Sequence, residues 1–272
     1  MYKSIETINL SKADRTHTRF ILENLLPIAE GTVAMIASEG GMGKTYLSIR
    51  LASEYVTNSK KRALVWFSED AQNIIAQRYD NMVRKGMIDK DAQNKIDYVT
   101  TEPKQFAKLE KGTFKADYEA LADLRKDCII NDIGLVVIDP LLAFYGGDEN
   151  NNSQARVFMQ PFLEWAKQDG VTILFIHHAS KGEGRTRGAG AFRDAVRTLY
   201  EMRYIKQKEE VDFYKKDKGY REVALMKDNL GAFYHFNKLY GAGHTELQII
   251  PPFDTTIAIS YEEPKPSLGF KL

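Results

Sequence analysis

The sequence predicts an α/β fold, with a mainly parallel sheet flanked by helices. Unbroken apolar runs of β-rich composition recur along the chain, and segments with helical apolar spacing separate them. A strand that is apolar at every position is buried on both faces, which favours a parallel sheet covered by helices. The predicted strands of this part are residues 32–37, 63–67, 135–138 and 171–176.

Helical patterns lie between these strands, at residues 44–56, 70–85, 116–130 and 155–168. In the first of them Leu47, Leu51 and Val56 share one face. Repeated strand–helix alternation of this kind predicts a doubly wound fold. After about residue 195 the pattern changes to short segments joined by turns, which we interpret as antiparallel strands added at the sheet edge. They are residues 196–204, 220–227, 232–239 and 247–250.

Composition limits the classes of function. The 272 residues carry a formal net charge of +1, so any nucleic-acid site must be local and cannot be the whole surface. The single cysteine, Cys128, excludes an internal disulfide and fits a reducing compartment. The first 19 residues lack the apolar core of a signal peptide, and no apolar run has the length of a membrane span. We expect a cytoplasmic protein with no membrane partner.

A glycine-rich segment links the first predicted strand to the first predicted helix. Residues 38–45 read Ser-Glu-Gly-Gly-Met-Gly-Lys-Thr, close to the phosphate-loop pattern G-x-x-x-x-G-K-[ST]. Glycines let backbone N–H groups approach phosphates, Lys44 reaches the terminal phosphates, and the Thr45 hydroxyl binds Mg²⁺. This pattern predicts binding of ATP and Mg²⁺. The predicted contacts are Ser38, Gly40, Gly41, Met42, Gly43, Lys44, Thr45 and Tyr46.

Acidic residues follow two of the predicted strands. The run Leu-Val-Val-Ile ends in Asp139, which suits a carboxylate of the Mg²⁺ shell, although an acid before proline is also common in turns. Glu69, at the end of the second strand, is the candidate catalytic base that orients the attacking water. Asp70 is the alternative candidate for the base, and a purely structural interpretation is that Ser68 or Asp70 caps the next helix.

Polar side chains also follow the strand at residues 171–176. His177 and His178 alternate in direction along a strand, so they would not converge on one metal ion, and His177 has a possible buried packing role. A polar residue at this position can contact the γ-phosphate. The next segment is glycine-rich and basic. It predicts a single-stranded DNA contact through Lys181, Arg185 and Arg187, with a solvated loop as the alternative.

The residues alone leave two further features open. Arg193 and Arg197 bracket the start of a late strand, where an arginine can act across a subunit boundary or form a surface ion pair. Tyr145, in the loop after Asp139, can stack on a base or belong to the core.

Together these motifs resemble the RepA-type hexameric replicative helicases of plasmids, within the RecA-like ATPases. The resemblance covers about residues 31–229. It is carried by the Ser-x-Gly-Gly-x-Gly-Lys-Thr loop, Ser-Glu-Asp, Val-Ile-Asp-Pro, His-His-Ala-Ser-Lys-Gly and an Arg-Gly…Asp-x-x-Arg segment. The histidine-containing string is the most specific of these, and a serine at the first loop position is usual in that family.

The resemblance implies roles for individual residues. Lys44 and Thr45 would be the Walker A residues, Glu69 the catalytic base and Asp139 the Walker B acid. A second set would act at the γ-phosphate or in the ring. His178, rather than His177, would be the phosphate sensor, and Arg197 an arginine finger for the neighbouring subunit. Arg187 would lie in a central-channel loop, and Lys227 would be a second trans-acting basic residue.

The implied protein is a ring-forming motor, commonly a hexamer, that couples ATP hydrolysis to movement on single-stranded DNA and to duplex unwinding. A replication initiator or primase is a further implied partner. The alternative is a RecA-like ATPase without unwinding activity, acting as a loader or regulatory switch. The predicted organisation is a flexible arm at residues 1–19, a RecA-like ATPase domain at 20–240 and a C-terminal extension at 241–272.

Overall fold

The structure is a computed structural model that describes residues 9–13, 15–178, 190–205 and 219–252. Its strands are β1 (Phe20–Ile21), β2 (Ile28–Ala29), β3 (Val33–Ser38), β4 (Arg62–Phe67), β5 (Ile96–Val99), β6 (Ala107–Glu110), β7 (Thr113–Ala116), β8 (Ile133–Asp139), β9 (Tyr145–Gly146), β10 (Thr172–His178), β11 (Thr198–Arg203), β12 (Tyr220–Asp228) and β13 (His244–Gln248). Its α-helices are α1 (Lys44–Asn58), α2 (Gln72–Arg84), α3 (Tyr118–Ile130), α4 (Asn152–Asp169), α5 (Gly190–Ala195) and α6 (Ala232–Tyr240).

An eight-stranded sheet organises the molecule, in the order β13-β12-β11-β3-β10-β8-β4-β5. The six strands from β11 to β5 are parallel, and β12 and β13 continue the sheet in antiparallel direction. This confirms the predicted α/β fold with a mainly parallel sheet and antiparallel C-terminal strands.

Both faces of the sheet are buried, as the unbroken apolar runs predicted. In β8, Leu135 and Val137 point into the core beneath α1 and α2, whereas Val136 and Ile138 point into the aromatic core beneath α3 and α4. Alternate strand residues therefore serve opposite cores, which is why the polar residues of the central strands β3, β10, β8 and β4 lie at or near the strand ends.

Two details of the C-terminal region differ from the prediction. Strand β11 is parallel to β3, not antiparallel, because the chain enters β11 beside Val33, at the start of β3. Residues 232–239 were predicted as a strand but lie in helix α6. Their aromatic content favours strands, yet Ala232, Phe236 and Tyr240 recur every four residues, and the first two are fully buried.

A small second sheet was not predicted from the sequence: β6 pairs antiparallel with β7 and parallel with β9. Strand β13 pairs with β12, so the main sheet continues beyond residue 240; the predicted division of the chain into domains stays a prediction. None of the helices in the described ranges is both long and apolar enough to cross a membrane.

Candidate nucleotide-binding site

The carboxyl ends of four parallel strands lie side by side. His178, the last residue of β10, pairs with Ser38 of β3, and Phe67 of β4 pairs with Asp139 of β8. The segments that leave these strands therefore start from one edge of the sheet. This edge, where strand order and connections leave a crevice, is where ligands bind in open α/β sheets.

The phosphate loop joins β3 directly to α1. Gly41 has a φ of 74° and Gly43 a φ of 91°, both in the left-handed region that glycine adopts without strain. Gly43 is the N-cap residue of α1. The Met42 side chain is fully buried and anchors the middle of the loop in the core. The loop backbone and the N-terminus of α1 together provide an anion site.

Lys44 lies inside this loop. Its ammonium donates hydrogen bonds to the carbonyl oxygens of Glu39, at 2.7 Å, and Ser38, at 3.4 Å. Burial lowers the pKa of Lys44, while the nearby carboxylates of Asp139 and Glu69 raise it. The cation is thus held among backbone carbonyls and acidic side chains, in the position where a phosphate loop needs a positive charge.

Thr45 and the acids after β4 form a polar network. The Thr45 hydroxyl donates a hydrogen bond of 3.1 Å to Asp70 Oδ2, and Asp70 in turn forms an ion pair with Arg78 of α2. The Arg78 guanidinium lies 5.6 Å from the centre of the Tyr46 ring. Sequence reasoning missed Arg78; its position eight residues after Asp70, on the following helix, is the only signal it carried.

Asp139 lies at the bottom of the crevice, only 6% exposed. Its Oδ2 accepts a hydrogen bond of 3.2 Å from the Ser48 hydroxyl, a contact that sequence reasoning missed although Thr45 and Ser48 are one turn apart on α1. Burial raises the pKa of Asp139 to about 7, while Ser48 and Lys44 lower it.

The residues present fit a magnesium ion. The Thr45 hydroxyl and the Asp139 carboxylate are hard oxygen donors, and Mg²⁺ usually takes its remaining ligands from water and substrate phosphates. A bound Mg²⁺ would supply positive charge against the phosphates. In the described ranges, no group of three or more His, Cys, Asp or Glu side chains is arranged to hold a metal ion by itself.

Glu69 and His178 face each other across the same crevice. Glu69 Oε2 lies 3.8 Å from His178 Nε2, and the Glu69 side chain is 65% exposed. Burial and the Lys44 cation lower the pKa of His178, whereas Glu69 raises it. His177 points to the opposite face, where it is buried near the Phe192 ring. The two histidines therefore diverge, as the strand pattern predicted.

Arg197 lies apart from this group. It is exposed and immediately precedes β11, and its backbone N–H donates to the carbonyl of Val33 at the start of β3, at 2.9 Å. The phosphate loop begins at the other end of β3. Lys227 is engaged within the chain, because its ammonium donates to the carbonyls of Arg193 and Asp194 at the end of α5.

Two remaining predictions have different outcomes. Tyr145 is a core aromatic residue, 5% exposed and packed against Phe158 and Phe192. The predicted DNA contacts Lys181, Arg185 and Arg187 lie outside the described residues.

Residues 2–184 match the family model of the AAA domain AAA_25, and the chain belongs to this family. No curated protein gives a significant match to the chain. The family and the site agree: the strand-end crevice, the phosphate loop and the acids around it are those of a P-loop ATPase. ATP hydrolysis is therefore the general activity of the fold, with nucleotide and usually Mg²⁺ as its ligands.

Proposed function

We propose that this protein is a ring-forming, ATP-hydrolysing motor of the RepA-type replicative helicase kind, which moves on single-stranded DNA and unwinds duplex. One observation carries the proposal. His178 lies 3.8 Å from Glu69 in space, and the basic segment with Lys181, Arg185 and Arg187 follows it directly in the chain. A single strand end thus links the acid beside the phosphates to the candidate DNA contact.

The site residues divide the work of hydrolysis. Lys44 and the loop N–H groups bind the β- and γ-phosphates, and Thr45 and Asp139 would hold the Mg²⁺ shell. Glu69 orients the attacking water and accepts its proton, since its carboxylate is open to the crevice. Protonation of Glu69, or loss of the γ-phosphate, alters the charge beside His178. Because His178 is the last residue of β10, a movement of its side chain can shift the basic segment that follows it in the chain.

The position of Arg197 supports assembly of several copies. Residues 33 to 38 of β3 separate the level of Arg197 from that of the phosphate loop, roughly 15 Å at the rise of a strand. Arg197 cannot reach its own nucleotide across that distance, but its exposed side chain is free to meet another subunit's site. We propose a hexameric ring in which it does so, with a replication initiator or primase as an additional partner.

ATPase measurements with and without poly-dT test the DNA part of the proposal. We expect poly-dT to stimulate the wild-type protein, and the double variant Arg185→Ala/Arg187→Ala to keep basal turnover but lose the stimulation. The matched control is Arg84→Ala/Lys90→Ala, which removes two exposed basic residues, one at the C-terminal end of α2 and one after it. If poly-dT still stimulates the Arg185→Ala/Arg187→Ala variant, or if the control variant loses stimulation to the same extent, the DNA contact lies on another surface.

Two further measurements separate the motor from its alternative. Light scattering gives the mass with ATP bound, and displacement of a strand from a forked duplex reports unwinding. A DNA-stimulated ATPase that assembles but never displaces a strand would identify a loader or regulatory switch instead of a helicase.

A further inference from the structure

The C-terminal strands of the sheet form one wall of the phosphate loop, although they follow it by about 180 residues. Gly43 packs against the segment after β13: a Cβ at Gly43 would lie 2.7 Å from Ile250 Cγ1 and 3.2 Å from Ile249 Cγ2. On the neighbouring strand β12, the Arg221 side chain reaches the loop itself, where its Nε donates a hydrogen bond of 3.2 Å to the Met42 carbonyl oxygen.

Arg221 is well fixed. The residue is 4% exposed, its Nη1 donates to the Tyr220 carbonyl at 2.7 Å, and its guanidinium lies 4.9 Å from the centre of the Tyr204 ring. Burying a guanidinium is unfavourable unless its donors are satisfied. The planar guanidinium of arginine has donors in fixed directions and stacks on an aromatic ring, so it can hold one acceptor in one place. The ammonium of lysine is a rotatable point charge and cannot fix an acceptor in this way.

The backbone on both sides of the Gly43 Cα is held. Met42 O, in the Met42–Gly43 peptide, accepts from Arg221, and Gly43 O, in the next peptide, accepts the first helical hydrogen bond, from Leu47 N at 3.0 Å. In a trans peptide the C=O and the following N–H point in opposite directions. With Met42 O turned toward Arg221, the Gly43 N–H points away from Arg221.

We propose that Arg221 is a positioning residue of the phosphate loop, which orients the Gly43 N–H toward the phosphates by holding the Met42 carbonyl. The proposal rests on nucleotide binding at this loop and is independent of ring formation and of DNA. Arg221 touches no phosphate in this role. Its effect passes through one peptide group, so it acts on phosphate affinity and not on the attacking water.

The test measures phosphate binding directly, by displacement of a fluorescent ATP analogue with tripolyphosphate, which has no base or sugar. We expect Arg221→Gln to weaken tripolyphosphate binding about tenfold, the factor for one lost hydrogen bond. KM for ATP should rise by a similar factor, with kcat within about threefold of wild type, because the N–H contact exists in both ground and transition states. Arg221→Lys should not restore the affinity.

Arg50→Gln is the matched control. Arg50 is also a partly buried arginine, and its Nη1 donates to the Gln248 carbonyl at 2.9 Å, so it joins α1 to β13 without touching the loop backbone. At an equal loss of melting temperature it should leave tripolyphosphate affinity unchanged. Should Arg221→Gln fail to fold, Tyr204→Leu, which removes the ring beside the guanidinium together with its hydroxyl, is expected to weaken tripolyphosphate binding to a smaller extent, and Tyr204→Phe, which keeps the ring, should not.

Unchanged tripolyphosphate affinity in a folded Arg221→Gln protein would overturn the proposal, as would an equal loss in Arg50→Gln, since both would mean that Arg221 only stabilises the fold. No DNA is present in these assays. Failure of the motor proposal, seen as absent poly-dT stimulation, is thus distinguishable from failure of this one.

Discussion

The Thr45 hydroxyl donates a 3.1 Å hydrogen bond to Asp70, and not to the buried Asp139. Asp70 is held in that position by its ion pair with Arg78. Glu69, one residue earlier, faces His178 and is mostly exposed to the crevice. The two adjacent acids at the end of β4 therefore have different partners, and their loss should have different consequences.

Glu69→Gln is expected to bind ATP and to lose hydrolysis, by about 10²-fold or more, because the amide cannot accept the proton of the attacking water. Single-turnover ATPase assays and binding of a fluorescent ATP analogue measure the two effects separately. The control is Asp70→Asn, which keeps an oxygen for the Thr45 hydroxyl and should reduce turnover far less. If Asp70→Asn shows the stronger loss, the base is Asp70 and our assignment is wrong.

Lys44→Ala should abolish hydrolysis and weaken nucleotide binding, because the terminal phosphates lose the cation that the Ser38 and Glu39 carbonyls hold in place. Equilibrium binding and ATPase assays at saturating ATP check both effects. Turnover near the wild-type rate would contradict the assignment of residues 38–45 as the phosphate-binding loop. A useful comparison is Lys61→Ala, at the entrance of β4, which should leave both quantities unchanged.

Arg197→Ala tests whether a second copy completes the site. We expect it to bind ATP and to assemble but to hydrolyse about 10³-fold more slowly, the range for an arginine that neutralises charge in phosphoryl transfer. Mixing it with Lys44→Ala subunits should restore part of the activity, because one type of mixed interface pairs an intact loop with an intact arginine. A fully active monomer, or mixtures that never recover activity, would contradict the trans-acting role.

Asp228 gives a prediction for pH and stability. Its carboxylate accepts hydrogen bonds from the backbone N–H groups of Leu230, Gly231 and Phe233 at the start of α6, each 2.9 Å. Burial raises the pKa of Asp228, but these hydrogen bonds lower it by a larger amount, so the net pKa shift is downward. The folded state therefore binds fewer protons, and the stabilisation is present above the unfolded-state pKa and lost as pH falls through the folded value.

Asp228→Ala should lower the free energy of unfolding by about 1 kcal/mol near pH 7, the usual cost of a lost helix cap. The difference from wild type should shrink as pH falls toward about 3, because the wild-type carboxyl is then protonated too. Urea unfolding at several pH values measures this. A difference that is constant with pH would show that charge on Asp228 has no part in the cap. Asp80→Ala, on α2, serves as the comparison.

Much of the fold was predictable because burial on two faces leaves a direct mark on a sequence. The core strands β3, β4, β8 and β10 were predicted within two residues at each end, since each contains an unbroken apolar run and has its polar residues at or near the strand ends. Strand β5 and the small sheet of β6, β7 and β9 were missed, because their residues are partly exposed and carry mixed polarity. Residues 232–239 were predicted as a strand because they are rich in aromatic residues, although Ala232, Phe236 and Tyr240 recur every four residues, the spacing of a helix.

The phosphate loop, Asp139 and the acidic pair after β4 were determined by the sequence itself, since a loop that holds phosphates needs glycine, lysine and threonine in a fixed local order. The tertiary structure alone decided what surrounds them. Ser48 on Asp139, Arg78 on Asp70 and Arg221 on the Met42 carbonyl join residues 91, 8 and 179 positions apart. The first and last of these pairs are set by sheet order and crossover geometry, for which no short segment of sequence carries a signal, and the second depends on how α2 leaves β4.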